Sequence, residues 1–513
     1  MVRSLFAALI LSVSAFAGEV PDSHGDTGSA GLSEEGGLGQ GVGLVDPIPS
    51  ILDLETAKAI ALRNNPSMKA AAARVDQAKA RVRQARSAYF PTVGATGSVS
   101  KTWIDENTYR TAKRQAFVGS LQGGTAGGSA SVAQSTLPVL TALGSAANAF
   151  DAAIRARDRV EDDFTTYSAA LTIQWLLFDG FAREFNHAAA KFGAKELEAA
   201  DLEARRLLLD AVAGAYYAAA LAREDVTIAK ADEVFNLRQL KEAQARRRVG
   251  TGSLSDELNF EVRVNTARAS LIRGERSYAV AMLGLAELLG MPEGKFSQNV
   301  ELAPLTEEDP EELTSPDVLA CVERALELRP DLRQRRHAAG RAKAEMKAGR
   351  GVFYPSVSAS ATRSATLQGD NDIGQDDFAT TVGLNVSYSI FAGGRNRARY
   401  VETKAARLEA EHNADSAEIA VRADVRSAAE LLMEAQKQLW LQRANAVFVQ
   451  KNRDLVEKEY RAGQASLVRL NEAQRDLTSA QGQLALARVT LRQAWHSLKT
   501  ATAETLAPFE GTE

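Results

Sequence analysis

An internal duplication constrains the fold of this 513-residue chain more than any other feature of its sequence. The residues that follow Ala59 resemble those that follow Glu323, and equivalent positions there lie 264 residues apart. Further along the chain the offset is 213 residues. The paired positions are Pro66 with Pro330 and Pro91 with Pro355 at the first offset, and Phe178 with Phe391, Gly250 with Gly463 and Leu254 with Leu467 at the second. Two constant offsets indicate two equivalent halves, with about 51 extra residues between Pro91 and Phe178.

The sequence outside the two repeats predicts a signal peptide, a flexible stretch, a linker and a tail. Residues 1–17 are predicted to be a secretory signal peptide, because Arg3 precedes a short apolar run that ends in small residues. No run of 18 or more apolar residues follows it, so no transmembrane helix is expected. The other predicted segments are a flexible Gly-rich stretch at 18–50, the first repeat at 51–290, an inter-repeat linker at 291–316, the second repeat at 317–503 and a C-terminal tail at 504–513.

Each half is predicted to contain two amphipathic strands. They lie at about 91–101 and 167–179 in the first half, and at about 355–366 and 377–391 in the second. Apolar residues alternate strictly with small polar residues in these segments, a pattern typical of a membrane barrel with an aqueous lumen. A half-buried antiparallel sheet would give the same pattern in any single segment. The Gly-, Ser- and Ala-rich insertion at about 102–166 is predicted to be an elongated loop.

Long uninterrupted helices separate the strands from the ends of each half. Residues 183–249 contain no proline, and as a helix they would extend ~100 Å. Residues 394–462 are the counterpart in the second half. In the last helix, Leu and Ala alternate at heptad spacing from Leu470 to Leu498, which predicts left-handed coiled-coil packing between closely spaced helices.

Four strands are too few to enclose a pore. Open strand edges are not tolerated in lipid, so several chains must share one barrel. Two chains would supply eight strands and three would supply twelve, and an aqueous lumen favours the larger number.

The sequence resembles the TolC-like outer-membrane efflux proteins over roughly residues 51–503. The resemblance rests on an ordered set of marks, each present in both halves. They are Asn65-Pro66 and Arg329-Pro330 at a helix start, Tyr89-Phe90-Pro91 and Phe353-Tyr354-Pro355 before a strand, Phe178-Asp179-Gly180 and Phe391-Ala392-Gly393 after a strand, and the turns at Gly250 and Gly463. The resemblance implies a mainly α protein with a membrane β-barrel. Three duplicated helix–strand–strand–helix protomers would form a 12-stranded barrel on a long periplasmic α-helical barrel.

The resemblance also implies partners and site residues. The trimer would sit in outer-membrane lipid and dock to a periplasmic adaptor protein and an inner-membrane pump. Val249, Gly250 and Thr251 match the family's adaptor-contact turn, whereas the second turn keeps only Gly463 of that motif. In the family, two Asp residues narrow the closed entrance, and here those positions are Arg469 and Glu472.

Because Arg469 replaces an acidic residue of the family, a pore constriction in this protein is expected to involve charges of both signs. Asp256 is the first-half equivalent of Arg469. We expect these two residues, on adjacent helix pairs, to form salt bridges that hold the entrance closed. Two exposed charges on a solvated tip are the alternative, since exposed ion pairs contribute little stability.

Several functional classes find no support in the sequence. The five histidines are scattered, no phosphate-binding loop or catalytic constellation is present, and no cofactor or metal site is predicted. The net charge of −4 does not suggest a nucleic-acid partner. An enzyme is therefore not expected. The alternatives to an export duct are a trimeric coiled-coil surface fibre or adhesin, and the periplasmic adaptor itself. The sequence does not indicate whether the cargo is a drug, a metal ion or a protein.

Overall fold

The computed structural model describes residues 49–103, 105–125, 137–158, 163–296, 300–306, 308–368 and 377–509. The predicted signal peptide and nearly all of the predicted flexible stretch at 18–50 lie outside these ranges. The described chain divides into two compact units. Of the described residues, one comprises those within 87–180 and 352–390, and the other comprises those within 49–86, 181–351 and 391–509. We call them the sheet unit and the helical unit.

In the described ranges, most residues are helical, and the strands form one small sheet and one two-residue pair, which confirms the predicted mainly α fold. The helices are α1 (Leu54–Asn64), α2 (Pro66–Ser87), α3 (Glu106–Thr125), α4 (Leu137–Asp158), α5 (Ala182–Arg248), α6 (Leu254–Leu288), α7 (Val318–Leu328), α8 (Pro330–Ala348), α9 (Arg395–Arg461) and α10 (Leu467–Ala501). The strands are β1 (Ile51–Leu52), β2 (Thr92–Trp103), β3 (Asp163–Phe178), β4 (Glu301–Leu302), β5 (Ser356–Gln368) and β6 (Phe378–Ser387).

The sheet unit contains a four-stranded antiparallel sheet in the order β2-β3-β5-β6. Its register places alternate residues of all four strands on the same face. The apolar face includes Val93, Ala95, Val99, Leu171, Ile173, Ala359, Ala361, Val382 and Leu384. The polar face includes Thr92, Thr96, Ser98, Ser168, Thr172, Ser360, Thr362, Thr381 and Asn385.

The elongated loop predicted at 102–166 is wrong for most of that insertion, because α3 and α4 lie within it. The two helices contact each other, and the rings of Phe117 and Phe150 meet edge to face at 5.7 Å. The Gly and Ser residues that suggested a loop are concentrated at about 119–136, between two segments with ordinary helix formers. The average composition of the whole insertion therefore did not reveal the two helix-forming segments.

Two strand boundaries also differ from the expected ones. β3 begins at Asp163, four residues before the predicted start at 167. β6 ends at Ser387, which pairs with Ser356, whereas the prediction extended to about 391. Pro355 precedes Ser356 and has no N–H to donate, so β5 offers residues 388–391 no continuing ladder.

Two long helical hairpins dominate the helical unit. Hairpin 1 is α5 with α6, and hairpin 2 is α9 with α10. Small residues allow the helices of each hairpin to approach closely. A Cβ added to Gly274 on α6 would lie only 3.3 Å from the side chain of Val226 on α5. The predicted heptad positions of α10 are mostly buried, including Leu470, Ala473, Leu477, Ala480, Ala487, Leu491, Ala494 and Leu498.

Candidate functional site at the helical turns

Both hairpins end in the same backbone turn. Gly250 has φ +79° and Gly463 has φ +77°, a region that side chains other than glycine rarely adopt. The N–H groups of Gly250 and Thr251 donate to the carbonyls of Arg247 and Arg246, at 3.0 and 2.9 Å. The N–H groups of Gly463 and Gln464 donate to the carbonyls of Tyr460 and Glu459, at 3.0 and 2.8 Å. Each turn is therefore a Schellman motif, which satisfies the last carbonyls of a helix and reverses the chain.

Serine residues start both returning helices. The Ser253 hydroxyl accepts a hydrogen bond from the N–H of Ser255 at 3.0 Å, and the Ser466 hydroxyl accepts one from the N–H of Arg469 at 3.3 Å. Such N-caps stabilise a helix start by about 1 kcal/mol. Val249, one of the predicted adaptor-contact residues, lies in the turn that connects the two helices of hairpin 1, and its side chain is 74% exposed. The turn thus presents an apolar side chain to its surroundings on a fixed backbone.

The predicted constriction residues are not joined within one chain. Arg469 Nη1 lies 3.3 Å from Glu459 Oε2, so its salt bridge stays inside hairpin 2. Asp256 lies near Tyr460, where burial raises the pKa of the phenol and the Asp256 carboxylate raises it further. Glu472 is exposed on α10. The expected Asp256–Arg469 bridge is therefore wrong for a single chain, because Arg469 already has a nearer carboxylate. A bridge between copies remains a prediction.

A buried carboxylate that sequence analysis missed connects the two hairpins. Glu457 on α9 is 8% exposed. It accepts hydrogen bonds from Arg238 at 2.7 Å and Gln239 at 3.3 Å on hairpin 1. It also accepts from Arg453 at 2.7 Å and Arg461 at 2.9 Å on its own helix. The four-residue spacing of Arg453, Glu457 and Arg461 was a visible signal for the contacts within α9. Nothing in the sequence indicated the partners on α5.

Further polar contacts join the hairpins on both sides of this carboxylate. Asn471 donates to Asn259 at 3.1 Å, and these two residues occupy nearly equivalent positions of the two halves. Gln474 donates to Asp232 at 2.8 Å. A small apolar cluster lies among these groups, and in it the rings of Phe260 and Tyr460 are 6.4 Å apart. The ends of the hairpins are thus held together by polar contacts together with this apolar cluster, which includes residues of both hairpins.

The described residues offer little for chemistry of other kinds. Within them, His, Cys, Asp and Glu side chains form no group of three placed to hold a metal ion. None of the helices in the described ranges combines the length and the apolarity needed to cross a bilayer.

Comparison with known proteins gives a consistent result. Residues 59–291 and 321–504 match the family described as outer membrane efflux protein. The alkaline protease secretion protein AprF of Pseudomonas aeruginosa is 27% identical over 348 residues, which are 66% of this chain and 69% of AprF. The outer membrane efflux protein BepC of Brucella suis is 26% identical over 353 residues, 68% of this chain and 74% of BepC. A solved structure of CusC, from work on its transmembrane channel formation, superimposes with a TM-score of 0.68 at 18% identity, covering 91% of this chain and 95% of CusC.

Proposed function

Because this chain belongs to the outer membrane efflux protein family, we propose that three copies of it form a passive duct that receives cargo from an inner-membrane pump. The family assigns the chain to the outer membrane as an efflux or secretion channel, with its long helices on the periplasmic side. The number of copies, the pump and the adaptor are our proposal. A fibre, an adhesin or an adaptor protein is no longer needed to explain the sequence.

The edges of the sheet carry the argument for shared assembly. In the described chain β2 and β6 each have one neighbouring strand, so both outer edges offer unpaired backbone groups. Adjacent strands are antiparallel throughout, so β6 of one copy would run antiparallel to β2 of the next. Copies arranged in a ring would pair every edge, as a barrel in lipid requires. Three copies give twelve strands, which leaves room for an aqueous lumen.

The composition of the two faces supports the orientation of the sheet. The charged side chains of the four strands are Lys101, Asp163 and Arg363, and the register places all three on the apolar face. The polar face therefore carries no charged side chain, and it consists of hydroxyl, amide and small side chains apart from Phe164 and Leu176. A lumen with this lining would not sort cargo by the sign of its charge. This favours a conduit whose selectivity belongs to the pump.

The helical turns are the proposed docking points for a periplasmic adaptor. Val249, Gly250, Thr251 and Gly463 lie on the two turns, whose backbone geometry is fixed by the Schellman motifs. The polar contacts between the hairpins, centred on Glu457, suit a junction that separates and re-forms, because its groups can exchange protein partners for water. We propose that adaptor binding shifts this junction toward an open entrance.

Two measurements on the purified protein test the duct. Native mass spectrometry in detergent is expected to give a mass three times that of one chain. In planar bilayers the protein is expected to form water-filled channels. A stable monomer without conductance would contradict the proposal.

A further inference from the structure

Arg363 on β5 is a charged side chain in the middle of the apolar face. It lies opposite Leu171 on β3 and Thr380 on β6. The other two charged residues of this face, Lys101 and Asp163, lie near the strand ends and form a salt bridge with each other. Arg363 is thus the charge that an apolar surface would least be expected to carry.

Among the described residues, the guanidinium has an aromatic neighbour but forms no salt bridge with a carboxylate. Its central carbon lies 5.0 Å from the centre of the Phe378 ring. Its Nε is buried and has no hydrogen-bond partner among the described residues. The adjoining positions of the apolar face are Ala169, Leu171, Ile173, Ala361, Ala365, Phe378, Thr380 and Val382, none of which is acidic. An arginine that faces hydrocarbon without a partner among the described residues is costly, so a compensating anion is expected beside it.

The position of Arg363 along the sheet indicates which lipid layer supplies that anion. β5 begins at Ser356, the end that is continuous with the helical unit, and Arg363 lies beyond the midpoint of the strand. Its partner Thr380 is the third residue of β6, so the start of β6 is only ~7 Å away. A long arginine side chain can extend its head over such a distance toward an interface. With the helices in the periplasm, this end of the sheet faces the outer leaflet.

We propose that Arg363 binds the phosphate of an outer-leaflet lipid headgroup on the apolar face of the sheet. This site rests on the proposed function, which turns that face toward lipid. The planar guanidinium matches a phosphate through paired N–H donors, whereas a lysine would offer only a point charge. Phe378 lies against the guanidinium, and Leu171 and Ile173 provide apolar surface for an acyl chain.

The test uses the purified full-length assembly in neutral detergent with bisphosphorylated lipid A as the probe. Its thermal unfolding midpoint is expected to rise by several degrees on addition of this lipid and to rise much less with the dephosphorylated form. Arg363→Gln is expected to lose most of the phosphate-dependent rise. Lys101→Gln is the matched control, because Lys101 shares the face but has Asp163 as its partner, and it should keep the rise.

Three results would overturn the site. They are an unchanged rise in Arg363→Gln, an equal rise with dephosphorylated lipid, and a full rise with inorganic phosphate alone. Channel formation by the same samples separates the two proposals. Samples that conduct but show no phosphate-dependent rise contradict the lipid site alone, whereas samples that form neither channels nor trimers contradict the duct.

Discussion

At the residue scale, Glu457 is the group on which the contacts between the two hairpins converge. Glu457→Ala would remove the nearer of two carboxylates from Arg453, whose side chain is only 16% exposed, and leave it Asp454 at 3.3 Å. Breaking a buried pair outright typically destabilises by about 3 kcal/mol or more. The remaining Asp454 contact and the half-exposed Arg238 and Arg461 reduce that figure. We expect a lower thermal unfolding midpoint and a higher resting conductance in bilayers.

The control for this change is Glu472→Ala, which removes an exposed carboxylate from α10. It should leave the unfolding midpoint within about 1 °C of the wild type, since isolated surface charges contribute little. Equal resting conductance in wild type and Glu457→Ala would show that this carboxylate does not hold the hairpins together.

His496 on α10 gives the fold a dependence on pH. Burial lowers the pKa of its imidazole from 6.5 to about 3, with further lowering from Lys58 and Lys499. Asp210 lies 3.9 Å from Nε2 and would act in the opposite direction, but its side chain is 45% exposed and therefore screened by water. Because the folded state disfavours the protonated imidazole, the stability that this residue contributes is complete above pH 6.5. It is lost as the pH falls from there toward 3.

This loss is measurable as a difference between variants. Between pH 7 and pH 4.5, the free energy of unfolding is expected to fall more in wild type than in His496→Gln. The difference is up to about 1.4 kcal/mol per pH unit below 6.5, and it appears as a larger fall in the thermal unfolding midpoint. His412→Gln is the control, because that side chain is 78% exposed, and it should follow wild type. Parallel curves for wild type and His496→Gln would exclude His496 as the cause.

At the scale of elements, the turn glycines determine how each hairpin reverses. Gly463→Ala places a Cβ on a residue with φ +77°, which costs about 1–2 kcal/mol. Gly482→Ala has the opposite expectation, because Gly482 lies inside α10 with no heavy atom within 4 Å of an added Cβ. Alanine there should stabilise the helix by about 0.5–1 kcal/mol. Thermal unfolding of the two variants should therefore shift in opposite directions, and a shift in the same direction would contradict this account of the turn.

The same elements show what the sequence allowed and where it failed. The long helices were predictable because glycines mark their ends and no proline interrupts them, so α5 and α9 begin and end within about a residue of expectation. The strand faces followed from a period of two. The helices of the insertion were missed because a Gly- and Ser-rich centre dominated its composition. The contact of Glu457 with Arg238 joins residues 219 positions apart, and no local pattern encodes such a pairing.

At the scale of the whole molecule, the polar face of the sheet should control ion preference in the barrel. Thr381 lies on that face opposite Thr362, and three copies would place three substituted side chains around the lumen. Thr381→Asp and Thr381→Lys are expected to shift the reversal potential in a salt gradient in opposite directions. If neither variant moves the reversal potential, this face does not line the pore.

An even number of strands per chain has a consequence for stoichiometry. Because β2 and β6 run in opposite directions, the two edges remain compatible however many copies join the ring. Backbone pairing between strands therefore does not determine the number of subunits in the ring. In the proposed ring of three copies, the number would be set by the angle at which neighbouring hairpins pack, which depends on the size of the side chains between them. Enlarging alanines between neighbouring hairpins is thus a rational route to rings of a different size, with the sheet left unaltered.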